Sequence, residues 1–328
     1  ISCSPTSSCP RVFDEKHHNF RQHFVRNDVF APRPIDASRA DGEGPATEFA
    51  RLWEAGMIQF AVNHMTVARL SFRELVALAS RLGCIGIELR NDLPQTLFDG
   101  MDPADAGKHI RDNGLRLLAL AEVKRFNDWS SDKEAEALAL MQIARAAGAE
   151  AVSLIPRNDN QGMGNGERQA ALRVALKALK PMLEDHGLVG MVEPLGFEIC
   201  ALRYKSEAVE GIEAVGGKGR FKLVHDTFHH TLAHGGPMFP DHTGIVHVSG
   251  VVDQAVSLAE MRDPHRVLVT PGDRLGNIDQ IAALQAAGWN GPISYEAFSP
   301  EVHALADPAG ELARSFDIIR QGLAARAA

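Results

Sequence analysis

The chain has 328 residues, 45% hydrophobic and 23% charged, with a formal net charge of −8. That acidic balance excludes wholesale binding to phosphate backbones, which needs clustered Lys and Arg, so no nucleic-acid partner is expected. No apolar run approaches the ~20 residues of a membrane span, and no basic-then-apolar signal segment opens the chain, so no membrane partner is expected either. The four cysteines, Cys3, Cys9, Cys84 and Cys200, form no C-x-x-C pair. A disulfide framework is therefore not expected, and a reducing cytoplasm fits best.

Residues 1–56 are rich in Pro, Ser, Gly and charge and show little periodicity. They are expected to form a disordered leader, or an upstream stretch outside the native start. A short arm that serves homo-oligomerisation is the rival reading. The remaining stretch, 57–328, is close to the ~250 residues of a (β/α)8 barrel. Its pattern predicts a single α/β domain, a TIM barrel. A strand over 58–63 leads to a helix over 71–82, opened by the capping box of Ser71 and Glu74 and stopped at Gly83. A second strand over 84–89 precedes a helix over 102–113 with Pro103 at its first position. Strand 115–121, helix 131–147, strand 151–155 and helix 167–186 follow. Strand 188–192 leads to helix 206–215, and strand 221–225 to a short helical segment. Strand 244–248, helix 278–287, strand 292–295 and helix 311–323 close the series. Strands alternating with amphipathic stretches predict parallel βαβ units. An open doubly wound sheet is disfavoured, because no G-x-G-x-x-G follows the first strand.

In such a barrel the active site lies at the C-terminal ends of the strands. Polar residues gather there: Asn63 and His64, Glu88 and Arg90, Glu122 and Lys124, and Arg157. The last four strands each end in a possible metal ligand: Glu193, Asp226, His247 and Glu296. Any one of these alone could be structural. Together, three carboxylates at one barrel mouth repel one another, and a divalent cation removes that conflict. An O₃N donor set suits Mn²⁺, Mg²⁺, Co²⁺ or Zn²⁺. In the run HDTFHH, His225 should point away from Asp226, and His229 is best placed to reach a substrate oxygen. Arg266, Arg274 and Lys124 either hold substrate hydroxyls or are solvated loop charges.

The segments GIELR (86–90), EPLGFEIC (193–200), LVHDTFHH (223–230), VHVSGVVD (246–253), RVLVTPGDRLGNID (266–279) and SYEAFSPEVH (294–303) resemble the xylose isomerase-like TIM barrel superfamily. Within it the chain is most similar to the inosose isomerases of inositol catabolism, over nearly all of 57–328. The resemblance implies that Glu193, Asp226, His247 and Glu296 bind one divalent metal. It implies that the two glutamates flank the reacting carbons and that His229 meets substrate. The implied reaction is isomerisation of a cyclic polyol ketone, 2-keto-myo-inositol to 1-keto-D-chiro-inositol in type. Metal-held oxygens would stabilise an enediolate while a carboxylate moves the proton. Glu296 is expected to be the base and Glu193 its partner, an order the sequence does not fix. The alternatives are an isomerase or epimerase of open-chain ketoses or hydroxypyruvate, and a nuclease like endonuclease IV. The chain departs from the ketose 3-epimerases: after His247 it reads SGVVDQ, with no basic residue until Arg262. The nuclease needs further histidines that strands 2 to 4 do not supply.

Overall fold

The computed structural model describes residues 58–327, and the leader expected over 1–56 lies outside the described residues. Strands β1 (Phe60–Asn63), β2 (Gly86–Arg90), β3 (Arg116–Lys124), β4 (Ala151–Ile155), β5 (Val189–Val192), β6 (Phe221–Asp226), β7 (Thr243–Val248) and β8 (Ile293–Tyr295) close into a barrel in sequence order. Each neighbouring pair is parallel, and β1 completes the ring on β8. Helices α1 (Phe72–Arg81), α2 (Pro103–Asp112), α3 (Ser131–Ala147), α4 (Asn165–His186), α5 (Lys205–Ala214), α6 (Thr227–Leu232), α7 (Asn277–Ala286), α8 (Pro300–His303) and α9 (Pro308–Ala327) connect and surround the strands. The expected (β/α)8 barrel is the observed one.

Local chemistry sets the helix ends. Ser71 accepts from Glu74 N–H, and the Glu74 carboxylate accepts from Ser71 N–H, which satisfies two donors at the start of α1. Asp102 caps α2 ahead of Pro103, and Ser130 caps α3. Gly148 ends α3 at φ 74°, a left-handed conformation that only glycine adopts without strain. At Gly107 a Cβ would stand 2.0 Å from the Ala147 carbonyl oxygen, so α2 and α3 meet at backbone distance.

Among the strands, the sequence-based boundaries differ most at β3. It runs on to Lys124, with its register against β4 shifting between Leu120 and Val123. A bulge of this kind bends the strand and re-aims side chains at a barrel rim. Glu122 is thereby buried, although the expected strand ended at residue 121. Helix α9 is longer than its expected range of 311–323.

The barrel interior is layered. Ala61, Ala151, Val189, Met191, Val224 and Ile245 belong to a buried apolar cluster drawn from the strands, separate from the larger core between strands and helices. Successive residues of a strand face opposite sides, so positions two apart share a face. Two residues beyond this layer stand Asn63, Ser153, Glu193, Asp226 and His247, all buried. Glu88 and Glu296 occupy the same relation to Gly86 and Ser294. One pleat thus supplies an apolar plug and, above it, a polar ring. His225, one residue before Asp226, faces the other way, between Lys205 of α5 and Gln280 of α7.

Candidate metal centre

Glu193, Asp226, His247 and Glu296 converge in the polar ring. Each offers a ligand atom, and the four atoms lie within 4.8 Å of one another. All four residues are at most 4% exposed. The backbone holds them in register. Asp226 pairs with His247 across β6 and β7, Glu193 N–H donates to Leu154 O on β4, and Glu296 N–H donates to Val248 O on β7. Asp226 also caps α6, its Oδ1 accepting from the N–H groups of Phe228 at 2.7 Å and His229 at 3.1 Å.

His247 is oriented by a residue to which the sequence assigned no role. Its Nε2 lies 3.1 Å from Oε2 of Glu88, which is 1% exposed on β2. Its Nδ1 lies 3.2 Å from Glu296 and 3.7 Å from Glu193, poorly aligned for a hydrogen bond, and has no hydrogen-bond partner. A buried ring nitrogen without a partner, facing carboxylate oxygens, fits a metal-ligating lone pair with Glu88 holding the opposite N–H. Three carboxylates and that nitrogen suit a divalent cation. Burial alone would lower the His247 pKa. Glu88 and Glu296, then Glu193, outweigh burial and hold it well above the ordinary histidine value. The cluster thus attracts positive charge, and a cation must displace a proton to take Nδ1. Glu88→Gln should therefore weaken divalent-metal affinity about 10–100-fold, with the circular dichroism spectrum unchanged. Unaltered affinity in a competition titration against a chelator would show that Glu88 does not orient the ligand.

Two arginines complete the centre. Arg266, 1% exposed, places Nη2 2.5 Å from Asp226 Oδ2 and 3.2 Å from Glu296 Oε2. Its guanidinium lies over the rings of Phe298 at 4.6 Å and Phe228 at 5.0 Å, and its Nε donates to Ser249. Arg90 donates to Glu296 Oε1 at 2.9 Å and to both oxygens of Asp92 at 2.8 Å, with Glu122 at 3.4 Å. Asn63 adds a bond to Glu296 at 3.2 Å. Burial would raise the Glu296 pKa, but His247, Arg266 and Arg90 hold that carboxyl well below the usual carboxylate range. Glu193 goes the other way, raised by burial and by the Glu296 charge.

A pocket of about 340 Å³ adjoins the cluster, lined by Glu193, Glu296, Arg90, Arg266, His229 and Lys124 among others, with Phe197, Phe298 and Leu195 as apolar wall. His229 is buried against Phe197 and Phe228, and burial lowers its pKa. Lys124 stands at the rim, 69% exposed and 3.8 Å from Glu122. Arg274 lies outside the pocket lining and donates to the carbonyls of Asp253 and Val256 in the loop after β7. His64 is bonded to Leu70 O and stands apart from the four-residue cluster. Roles for Glu88, Asn63 and Arg90 went unassigned from sequence, although all three were placed at strand ends. The signal available for Asn63 and Glu88 was their two-residue offset from Ala61 and Gly86 on the interior face, and Arg90 lies two residues beyond Glu88.

A sequence profile described as xylose isomerase-like TIM barrel matches residues 76–322. The chain belongs to that family. Among solved structures, a xylose isomerase domain containing protein from Salmonella typhimurium LT2 is similar, at 26% identity and a TM-score of 0.74, covering 81% of this chain and 97% of that one. The IOLI protein, solved with a binding zinc atom, is similar at 21% identity and a TM-score of 0.71, over 81% of this chain and 98% of that one. A D-allulose 3-epimerase from Methylomonas sp., in complex with D-allulose, is similar at 17% identity and a TM-score of 0.61, over 80% and 96% of the two chains. No curated protein matches the chain. Among the described residues, no helix is long and apolar enough to cross a membrane.

Proposed function

We propose that this member of the xylose isomerase-like TIM barrel family is a metal-dependent isomerase of cyclic polyol ketones. The observation that carries the reading is the buried cluster of Glu193, Asp226, His247 and Glu296, with an unpartnered His247 Nδ1 beside a pocket of polyol size. These four residues would hold one divalent ion, Mn²⁺, Mg²⁺, Co²⁺ or Zn²⁺. Bound there, the ion supplies charge that stabilises a ketone oxygen and its neighbouring hydroxyl as the proton leaves carbon.

The rest falls to the chain. Phe197, Phe298 and Leu195 offer apolar surface to the C–H face of a ring, and His229 and Lys124 offer polar groups to its hydroxyls. We assign proton transfer first to Glu193, reversing the order expected from sequence. Glu296 is fixed by Arg90, Arg266 and Asn63, and a carboxylate held by three donors is a weak base. Glu193 has no comparable set of donors, so its carboxylate is left freer to accept a proton from carbon. Taking a proton from one carbon and returning it to the next, while the hydroxyl proton passes to the former carbonyl oxygen, exchanges hydroxyl and carbonyl.

The test is incubation of metal-loaded protein with 2-keto-myo-inositol in deuterated water. The expected product is the 1-keto isomer, with deuterium at the new C–H to the extent that the carboxyl exchanges with solvent. No isomer from protein carrying about one ion per chain would defeat the reading. A second reading, an isomerase or epimerase of open-chain ketoses, is favoured by Arg266. That residue supplies at the site the guanidinium missing directly after His247. Faster turnover of D-allulose than of the cyclic ketone would select it.

A further inference from the structure

Among the described residues, Glu122 is the one buried carboxylate on the pocket wall that is not a metal ligand. It is 6% exposed and stands at the bulged end of β3. Its main chain is clamped by one side chain. Its N–H donates to Asn91 Oδ1 at 2.9 Å, and its carbonyl accepts from Asn91 Nδ2 at 3.3 Å. Its Oε2 lies 3.4 Å from Arg90 Nη2. Arg90 also donates from Nη1 to Glu296, so a single guanidinium separates Glu122 from the metal centre.

The other oxygen is unused. Oε1 accepts no hydrogen bond among the described residues. Lys124 Nζ stays 3.8 Å away, beyond bonding distance, on a side chain 69% exposed. Oε1 opens on the pocket rather than into the core. Burial raises the Glu122 pKa, and the Arg90 and Lys124 charges oppose that rise. An ionised carboxylate is an acceptor only, so the partner Oε1 lacks is a donor. A cationic donor is disfavoured, because Arg90, Lys124 and Arg125 already line this wall. An anion is repelled by the carboxylate itself. A neutral hydroxyl satisfies both limits.

We infer that Glu122 is a specificity residue of this pocket, its Oε1 accepting a hydrogen bond from a substrate hydroxyl remote from the metal-held oxygens. The inference rests on the isomerase reading for the direction in which the substrate lies. It adds a feature the substrate must carry, an uncharged hydroxyl on the far side of its ring. Glu122 moves no proton; it selects and orients. A ligand lacking that hydroxyl would leave a buried carboxylate oxygen desolvated and unpaired, which is why such a contact discriminates.

The test titrates metal-loaded full-length protein calorimetrically with myo-inositol, which has no ketone, and with its singly deoxygenated analogues. The parent protein should bind myo-inositol saturably. Glu122→Met should weaken that binding about tenfold or more, the loss of one hydrogen bond to a charged group. One analogue, lacking the hydroxyl that Glu122 reads, should bind parent and variant equally. Glu122→Gln keeps the shape and an acceptor without the charge, and should fall between the two. It carries the same comparison if Glu122→Met does not fold. An equal loss for every ligand would make Glu122 structural and overturn the inference. Unaltered affinity in the variants, or no saturable binding by the parent, would overturn it too. Turnover of 2-keto-myo-inositol is scored separately. Glu122-dependent binding with no isomer formed defeats the isomerase reading and leaves the hydroxyl contact standing. Isomer formed equally well by parent and variants does the reverse.

Discussion

Replacing Glu193 by glutamine is expected to lower turnover about 10²–10⁴-fold, the usual contribution of a positioned general base. The amide keeps an oxygen that can face a cation but cannot accept a proton from carbon. Metal content should therefore fall less than activity, and turnover per bound ion separates the two effects. Glu296→Gln should show the opposite balance. It removes the charge that Arg90 and Arg266 are built around, at 2.9 and 3.2 Å, so metal occupancy and folding suffer first. Full turnover per bound ion in Glu193→Gln, with a large loss in Glu296→Gln, would return the base to Glu296. The acid limb of the activity profile carries the same information. A carboxylate must be ionised to act as base, so activity is lost as pH falls through the pKa of the working group. In the metal-free protein burial and the neighbouring Glu296 charge raise that pKa for Glu193, whereas His247 and the two arginines depress it for Glu296; a bound dication lowers both, so the order of the two limbs rather than their position identifies the base.

Arg266→Met should destabilise the metal-free protein by about 3–5 kcal/mol, the range for removing one partner of a buried ion pair. Arg266 is 1% exposed, and its loss leaves Asp226 and Glu296 facing each other and Glu193 without it. Charge also predicts the sequel. Three ligand carboxylates are balanced by a divalent ion together with this guanidinium. Without the guanidinium the cluster is one charge more negative, and it should hold the ion more tightly. A bound ion stabilises by mass action, about 2.7 kcal/mol at a hundred times its dissociation constant. The melting temperature of Arg266→Met should consequently rise further on adding metal than that of the parent protein. A smaller rise would show that Arg266 shapes the ligand set rather than balancing its charge.

The barrel was legible from sequence because its signals are local: apolar runs, Ser71, Pro103 and Gly148 each mark a boundary within a few residues. The four ligands were legible because a charged residue at the end of an apolar strand can be placed by counting. The β3 bulge was not, because an irregular register leaves no mark in composition, and it was this that buried Glu122. Arg266 was named, but as one of three equivalent loop charges. Its contacts span 40 positions to Asp226 and 30 to Glu296, and only the folded chain separates it from exposed Lys124 or from Arg274. The order of the two glutamates depends on the same long-range partners.

The apolar plug of Ala61, Val189, Val224 and Ile245 beneath the ligand ring has a kinetic consequence. It fills the barrel below the ligands, so among the described residues ion and substrate share the pocket at the mouth. A bound polyol then stands between the ion and solvent. Chelators should strip the ligand-bound protein more slowly than the free one, and exchange of the ion must wait for product to leave.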